Sequence, residues 1–169
     1  MPRLPTVILA ALVLHLTAPA TPAQAGPDAP HGVRTDTPSG LPVPRFVSLK
    51  SNKTYCRLGP SFDYPVTVTY MRAGLPVEVI AETKAHWRKI RDHDGTECWA
   101  HQATLQALTR ALVVKETAIL ARPERGASVR ARLAAGVLAK PLGASGGWRL
   151  VSADGIHGWL PKSALWGAE

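Results

Sequence analysis

Aromatic residues make up only 6% of the 169 positions, and the chain holds just two cysteines. It has no apolar run approaching the roughly 20 residues that cross a bilayer. No long amphipathic helical pattern follows residue 25. These shortages exclude a transmembrane bundle, a coiled coil and a large multidomain enzyme, and they leave room for one ordinary domain or two small ones. A phosphate-binding loop and a dinucleotide fingerprint are also missing, so no cofactor is expected. Five of the ten aromatics are Trp, which concentrates the large side chains at a few positions instead of spreading them through one big core.

What is present begins with a processing pattern. Met1-Pro2-Arg3 carries one positive charge, Val7 to Leu14 is an unbroken apolar run, and Ala23-Gln24-Ala25 has the small-x-small form of a cleavage site. A signal peptide over residues 1–25 is therefore expected. With no Cys near the cleavage point to carry a lipid, the mature chain is expected to be exported, periplasmic or extracellular, and without a transmembrane segment. An oxidising compartment would let the two thiols pair. Losing Arg3 lowers the formal charge from +8 to +7. Residues 26–44 are rich in Pro, Gly, Asp, Thr and Ser and read as a disordered leader, with folded structure starting near Arg45 or Phe46.

The rest of the chain repeats itself. Gly74, Trp87, Asp94-Gly95, Trp99 and Leu105 are matched by Gly136, Trp148, Asp154-Gly155, Trp159 and Leu165 at nearly equal intervals. Upstream, Pro60 and Val66 to Tyr70 correspond to Pro123 and Val129 to Leu133, each stretch alternating at period two as a strand with one wet face does. Pro76 to Glu82 and Val137 to Leu142 follow as strands. Trp87 to Asp92 pairs with Glu97 to His101 across one Asp-Gly turn, and Trp148 to Ser152 with Ile156 to Leu160 across the other. Units of about 60 residues built from short strands favour an all-β chain of two small barrels, over residues 45–106 and 110–167, above a single large sandwich.

Tyr55-Cys56-Arg57-Leu58-Gly59-Pro60, Tyr64-Pro65-Val66, and the run from Trp87-Arg88-Lys89-Ile90 through Asp94-Gly95 to Cys98-Trp99-Ala100 together resemble the bacterial SH3-like (SH3b) domain. Leu75 to Glu82 is similar to exported tandem members of that family, and Gly158-Trp159-Leu160 keeps its Gly-Trp motif in the second repeat. The resemblance spans roughly residues 45 to 167. It implies SH3-like barrels used for binding, commonly to cell-wall peptides or other envelope proteins. Cys56 stands where the family usually has an apolar residue, and Cys98 where it usually has the Gly before Trp. Because the two strands concerned approach one another in the family's barrel, the resemblance implies a Cys56–Cys98 disulfide. In the chain-entropy model, closing such a loop stabilises by about 4 kcal/mol.

Other chemistry is weakly marked. Neither Cys opens a helix that could hold a nucleophilic thiolate, so no enzyme is expected. His93, Cys98 and His101 could be drawn together as a metal set, but only Cys98-x2-His101 has ligand-like spacing and no metal is expected. Asp92 and Asp94 fall at a hairpin tip, where solvation accounts for them.

Charge is unevenly spread: nine basic and six acidic residues leave +3 between 45 and 105, whereas nine and four leave +5 between 106 and 169. Arg130 and Arg132 share one face of a strand whose other face holds Val129, Ala131 and Leu133. That face is either simply solvated or an anion contact. Alternation also puts Trp87 opposite Ile90, and Trp148 opposite Val151, so both indoles are expected at or near the surface. There, with Tyr64, they would form a ligand-binding aromatic groove, or else they cover barrel ends or fill the contact between repeats. Trp99, Trp159 and Trp166 read as packing residues. The chain is expected to be a non-enzymatic binding module for cell-wall peptide, glycan or an envelope protein, using Tyr64, Trp87, Trp148, Arg130 and Arg132. The competing expectation is an assembly module whose barrels pack together. Export argues against a nucleic-acid partner, although small barrels can bind one.

Overall fold

The computed structural model describes residues 32–168. The expected signal peptide, residues 1–25, and the first residues of the expected leader lie outside them. The described chain is all-β and forms two tandem SH3-like barrels. The first comprises β1 (Arg45–Leu49), β2 (Thr54–Arg57), β3 (Val66–Tyr70), β4 (Pro76–Glu82), β5 (Trp87–Arg91), β6 (Glu97–His101) and β7 (Leu105–Ala107). The second comprises β8 (Ala111–Val113), β9 (Thr117–Leu120), β10 (Val129–Leu133), β11 (Leu138–Ser145), β12 (Trp148–Ala153), β13 (Ile156–Pro161) and β14 (Leu165–Trp166). The strand order is β3-β2-β6-β5-β4-β1-β7 in one sheet and β10-β9-β13-β12-β11-β8-β14 in the other, the same order seven strands later. A single 3-10 turn precedes the last strand of each, at Gln102–Thr104 and Lys162–Ala164.

Each sheet curls because its strands bulge at matching places. The ladder between β2 and β3 shifts between Cys56 and Arg57, and its counterpart between β9 and β10 shifts between Val129 and Ala131. Likewise β4–β5 and β11–β12 shift at Val79/Ala81 and Pro141/Gly143. An extra residue on one strand bends it and raises the local twist. The concave faces then bury Leu49, Val77, Val79, Ile90 and Ala100 in the first core and Val113, Ile119, Ala139, Val151 and Leu160 in the second.

The two Asp-Gly hairpins differ. Asp154 and Gly155 both have positive φ, 48° and 81°, the two-residue turn whose twist suits a hairpin. Between β5 and β6 the loop runs five residues, Asp92 to Thr96, and Asp92 organises it: its Oδ1 accepts from the N–H groups of Asp94 and Thr96 at 3.1 and 2.9 Å. Asp92 is thus buried and structural, contrary to its reading as a solvated tip residue. Its Oδ2 also accepts from the Tyr70 hydroxyl at 3.0 Å. Burial first, and then the Asp92 carboxylate, push the Tyr70 phenol well above its ordinary range.

Cys56 and Cys98 form the disulfide, linking β2 to β6 inside the first core with Cα atoms 5.6 Å apart. The start of folded structure differs from the sequence reading. Arg34 and Val43 exchange backbone hydrogen bonds of 2.8 and 2.9 Å, and Val43 is buried in the first core. The physical cause is Glu82, whose carboxylate has no solvent exposure and draws partners from this segment: the Ser39 N–H at 3.0 Å and the Arg45 guanidinium, with Arg88 Nε at 3.1 Å from β5. Burial alone would raise the Glu82 carboxyl, but hydrogen bonds from Ser39 and Arg45 outweigh it and hold the group below its usual value.

The barrels touch through few groups. Phe46 of β1 meets Trp166 of β14 edge to face, with centroids 4.9 Å apart. Ser48 Oγ accepts from the Thr109 N–H at 3.0 Å, and the Arg72 guanidinium donates to the Gly136 carbonyl at 2.6 Å.

Candidate functional site

Trp87 leaves β5 on the face opposite Ile90, as alternation requires, yet it is 4% exposed. The expectation of a surface indole fails because the outer face of β5 is itself covered. The β2–β3 loop lays Phe62 against Trp87 with centroids 4.9 Å apart, and His101, the cross-strand neighbour of Trp87 on β6, completes the cluster at 5.4 Å from each of them. His86 stands edge-on to His101 at 6.5 Å. Arg57 of β2 places its guanidinium 5.6 Å from the centre of the Phe62 ring and donates to the Tyr64 carbonyl at 2.6 Å, fixing the loop. Phe62 remains 65% exposed. Tyr64 is exposed as well, its ring lying over Gly59.

The corresponding corner of the second barrel holds Trp148, which is half-buried. It faces Pro161 across the β12–β13 ladder and borders a groove that also includes Leu120 and Arg125. Trp148 thus keeps the surface access that Trp87 lacks.

Arg130 and Arg132 do not line that groove. Arg130 is the extra residue of the β10 bulge and donates to the His157 carbonyl at 2.7 Å. The same bulge turns Val129 outward, 56% exposed, so the expected inward set of Val129, Ala131 and Leu133 is broken at its first member. Arg132 lies 3.9 Å from Glu116 with both side chains exposed, a pairing worth little in water.

Phe62, Arg57 and His86 belong to the first corner although the sequence reading did not select them, and His101 belongs to it although it was considered only as a metal ligand. The available signal was the run Ser61-Phe62-Asp63-Tyr64, an aromatic pair in a polar loop. Of the metal set drawn from sequence, Cys98 is committed to the disulfide, His93 lies 3.2 Å from Asp94, and His101 packs on Trp87. Among the described residues no three metal-ligating side chains converge, and no helix is long and apolar enough to cross a membrane.

A family model described as a bacterial SH3 domain matches the chain twice, over residues 50–106 and 113–167. No curated protein matches it. Among solved structures, NlpC1 from Trichomonas vaginalis is 16% identical with a TM-score of 0.34, over 73% of this chain and 45% of that one. NlpC2 from the same organism is 15% identical with a TM-score of 0.34, over 73% of this chain and 48% of that one. The chain therefore spans about half the length of those two proteins.

Proposed function

The chain belongs to the bacterial SH3 domain family, and from that premise we propose that it is a non-enzymatic exported binding module for a cell-wall peptide or glycan or for an envelope protein. The observation that carries this reading is the groove beside Trp148, the half-buried indole of the second barrel's fifth strand, whose lining includes Arg125. An aromatic platform beside a cation suits a ligand that has an apolar surface and negative charge. Export is supported by the charged, apolar and small-x-small pattern of residues 1–25 and by the disulfide, which persists in oxidising compartments. Because that disulfide takes up both cysteines, the chain has no thiol with which to attack a wall peptide.

The test is co-sedimentation of the mature protein with purified peptidoglycan at low and high salt. Retention that weakens as salt rises, and falls in Trp148→Ala, is expected. A protein that stays in the supernatant at low salt would refute the wall-binding reading. The second reading, an assembly module, draws on the Phe46–Trp166 contact and the Ser48–Thr109 bond, which tie the barrels to each other. It would gain if retention is absent while Trp166→Ala uncouples the barrels.

A further inference from the structure

The corners of the two barrels can be matched through backbone bonds that both make, although the turn before the fifth strand is four residues long in the first barrel, with His86 at a φ of 65°, and two residues long in the second. Trp87 pairs with His101 as Trp148 pairs with Pro161. The Gln102 N–H donates to the His86 carbonyl as the Lys162 N–H donates to that of Gly147. In the loop, the Leu58 N–H donates to Pro65 as the Ala121 N–H donates to Ser128. This frame sets Phe62, His86 and His101 of the first barrel against Arg125, Gly147 and Pro161 of the second. Two rings of the first barrel are thus replaced by a guanidinium and by no side chain at all, and the third by a smaller one. What remains is a groove of about 510 Å³ lined by Leu120, Arg125, Gly147, Trp148, Pro161 and Ser163. That volume lies within the range that takes a small ligand. Arg125 is exposed and enters no ion pair within the described residues.

We propose that this groove binds a peptide segment with an aromatic side chain next to a carboxylate. The ring would lie on Trp148 as Phe62 lies on Trp87, and the carboxylate would face Arg125. The first barrel displays the ring half of the fit within one chain, its own loop supplying Phe62 4.9 Å from Trp87, while the exposed Arg125 of the second barrel calls for the carboxylate. The first corner is occupied by that loop, and the second is the receptive one. The assignment rests on the binding role proposed above and gives it a place and a ligand chemistry.

The experiment is a fluorescence titration of the mature, oxidised protein with a blocked Ala-Phe-Asp-Ala peptide. Versions lacking the Phe or the Asp serve as controls. A saturable change in Trp emission is expected, with the Phe-free control at least about tenfold weaker and the Asp-free control about two- to fivefold weaker, as for an exposed ion pair. Gly147→His should abolish the response by putting a bulky side chain beside Trp148 where glycine leaves the groove open. A Cβ at 147 meets nothing within 4 Å and the backbone there is not left-handed, so this variant keeps the fold. Arg125→Glu should remove the advantage of the Asp-containing peptide over its Asp-free control.

Absence of a saturable response overturns the proposal, as does binding that survives Gly147→His. Saturation by a soluble glycan fragment in place of the peptide, or self-association abolished by Phe62→Ala, overturns it in favour of a sugar or a second copy of the chain. Peptidoglycan sedimentation run in parallel separates the two readings. Retention without peptide binding removes this inference and leaves the wall-binding role, whereas peptide binding without retention does the reverse.

Discussion

Gly158 and Cys98 each precede the Trp of the sixth strand in their barrel, and they answer one packing requirement in two ways. In the second barrel an added Cβ at 158 would stand 2.4 Å from Ile119 Cγ2 and 2.5 Å from the Leu120 carbonyl oxygen. Glycine is needed there because Ile119 fills the space between β9 and β13. In the first barrel the same space is crossed by the disulfide, Cys56 taking the place of Ile119 and Cys98 that of Gly158. A covalent bond therefore replaces a close apolar contact. Gly158→Ala is expected to destabilise the second barrel by about 1–3 kcal/mol, the range for overpacking a filled core. Urea unfolding followed by the amide protection of β12 and β13 measures it, and an unchanged midpoint would contradict the assignment. The corner residues were legible unevenly at this scale. Alternation correctly put Trp87 opposite Ile90, but whether the outer face is wet depends on Phe62, which is 25 positions away in the sequence.

Strand limits were read closely, since period-two alternation and turn residues are local signals. β3, β4, β6 and β10 run over the expected residues. Bulges were not legible, because an extra residue leaves no mark in composition, and that is why Val129 is exposed where it was expected inside. The segment before β1 was read as a leader on its Pro and Gly content, and the buried carboxylate that orders it lies in β4. Glu82 also makes that segment sensitive to acid. Its carboxyl is held below the ordinary value of 4.5 in the folded protein. The stability it contributes is therefore complete above about pH 4.5 and is lost as pH falls through the depressed folded value. Hydrogen exchange should show the Arg34 and Val43 amides losing protection on acidification before those of β5 and β6. Glu82→Gln should weaken that protection at neutral pH and remove the acid step. An acid step of the same size in Glu82→Gln would assign it to another group.

The molecule holds two cores that share one topology and few contacts, while only one of them carries a cross-link. Reduction should therefore act on one half. The loop closed between Cys56 and Cys98 spans a separation of 42 residues, and opening a loop of that size costs about 4 kcal/mol in the chain-entropy model. Urea unfolding with and without reductant, followed by amide protection in each barrel, should show the first barrel's transition moving to lower urea while the second's stays. Equal shifts in both would mean that the barrels unfold as one cooperative unit through Phe46, Trp166 and the Thr109 linker. The charge excess of the second barrel belongs to this scale too. Among the described residues Arg125 is the one arginine that lines the Trp148 groove, so under the proposed function the wider basic character would steer anions while this guanidinium would select among them.

The amino-acid order alone determined that the chain is built of short strands, that it folds the same motif twice, and which cysteines pair once the family likeness is granted. Those properties rest on periodicity, turn chemistry and repetition, all of which are written along the chain. The tertiary structure decided which of two equivalent indoles is open, that residue 34 already belongs to the folded body, and that Asp92 is an internal support. Each of these depends on a side chain brought from a distant strand or loop to cover, or fail to cover, a surface that local periodicity alone leaves unassigned.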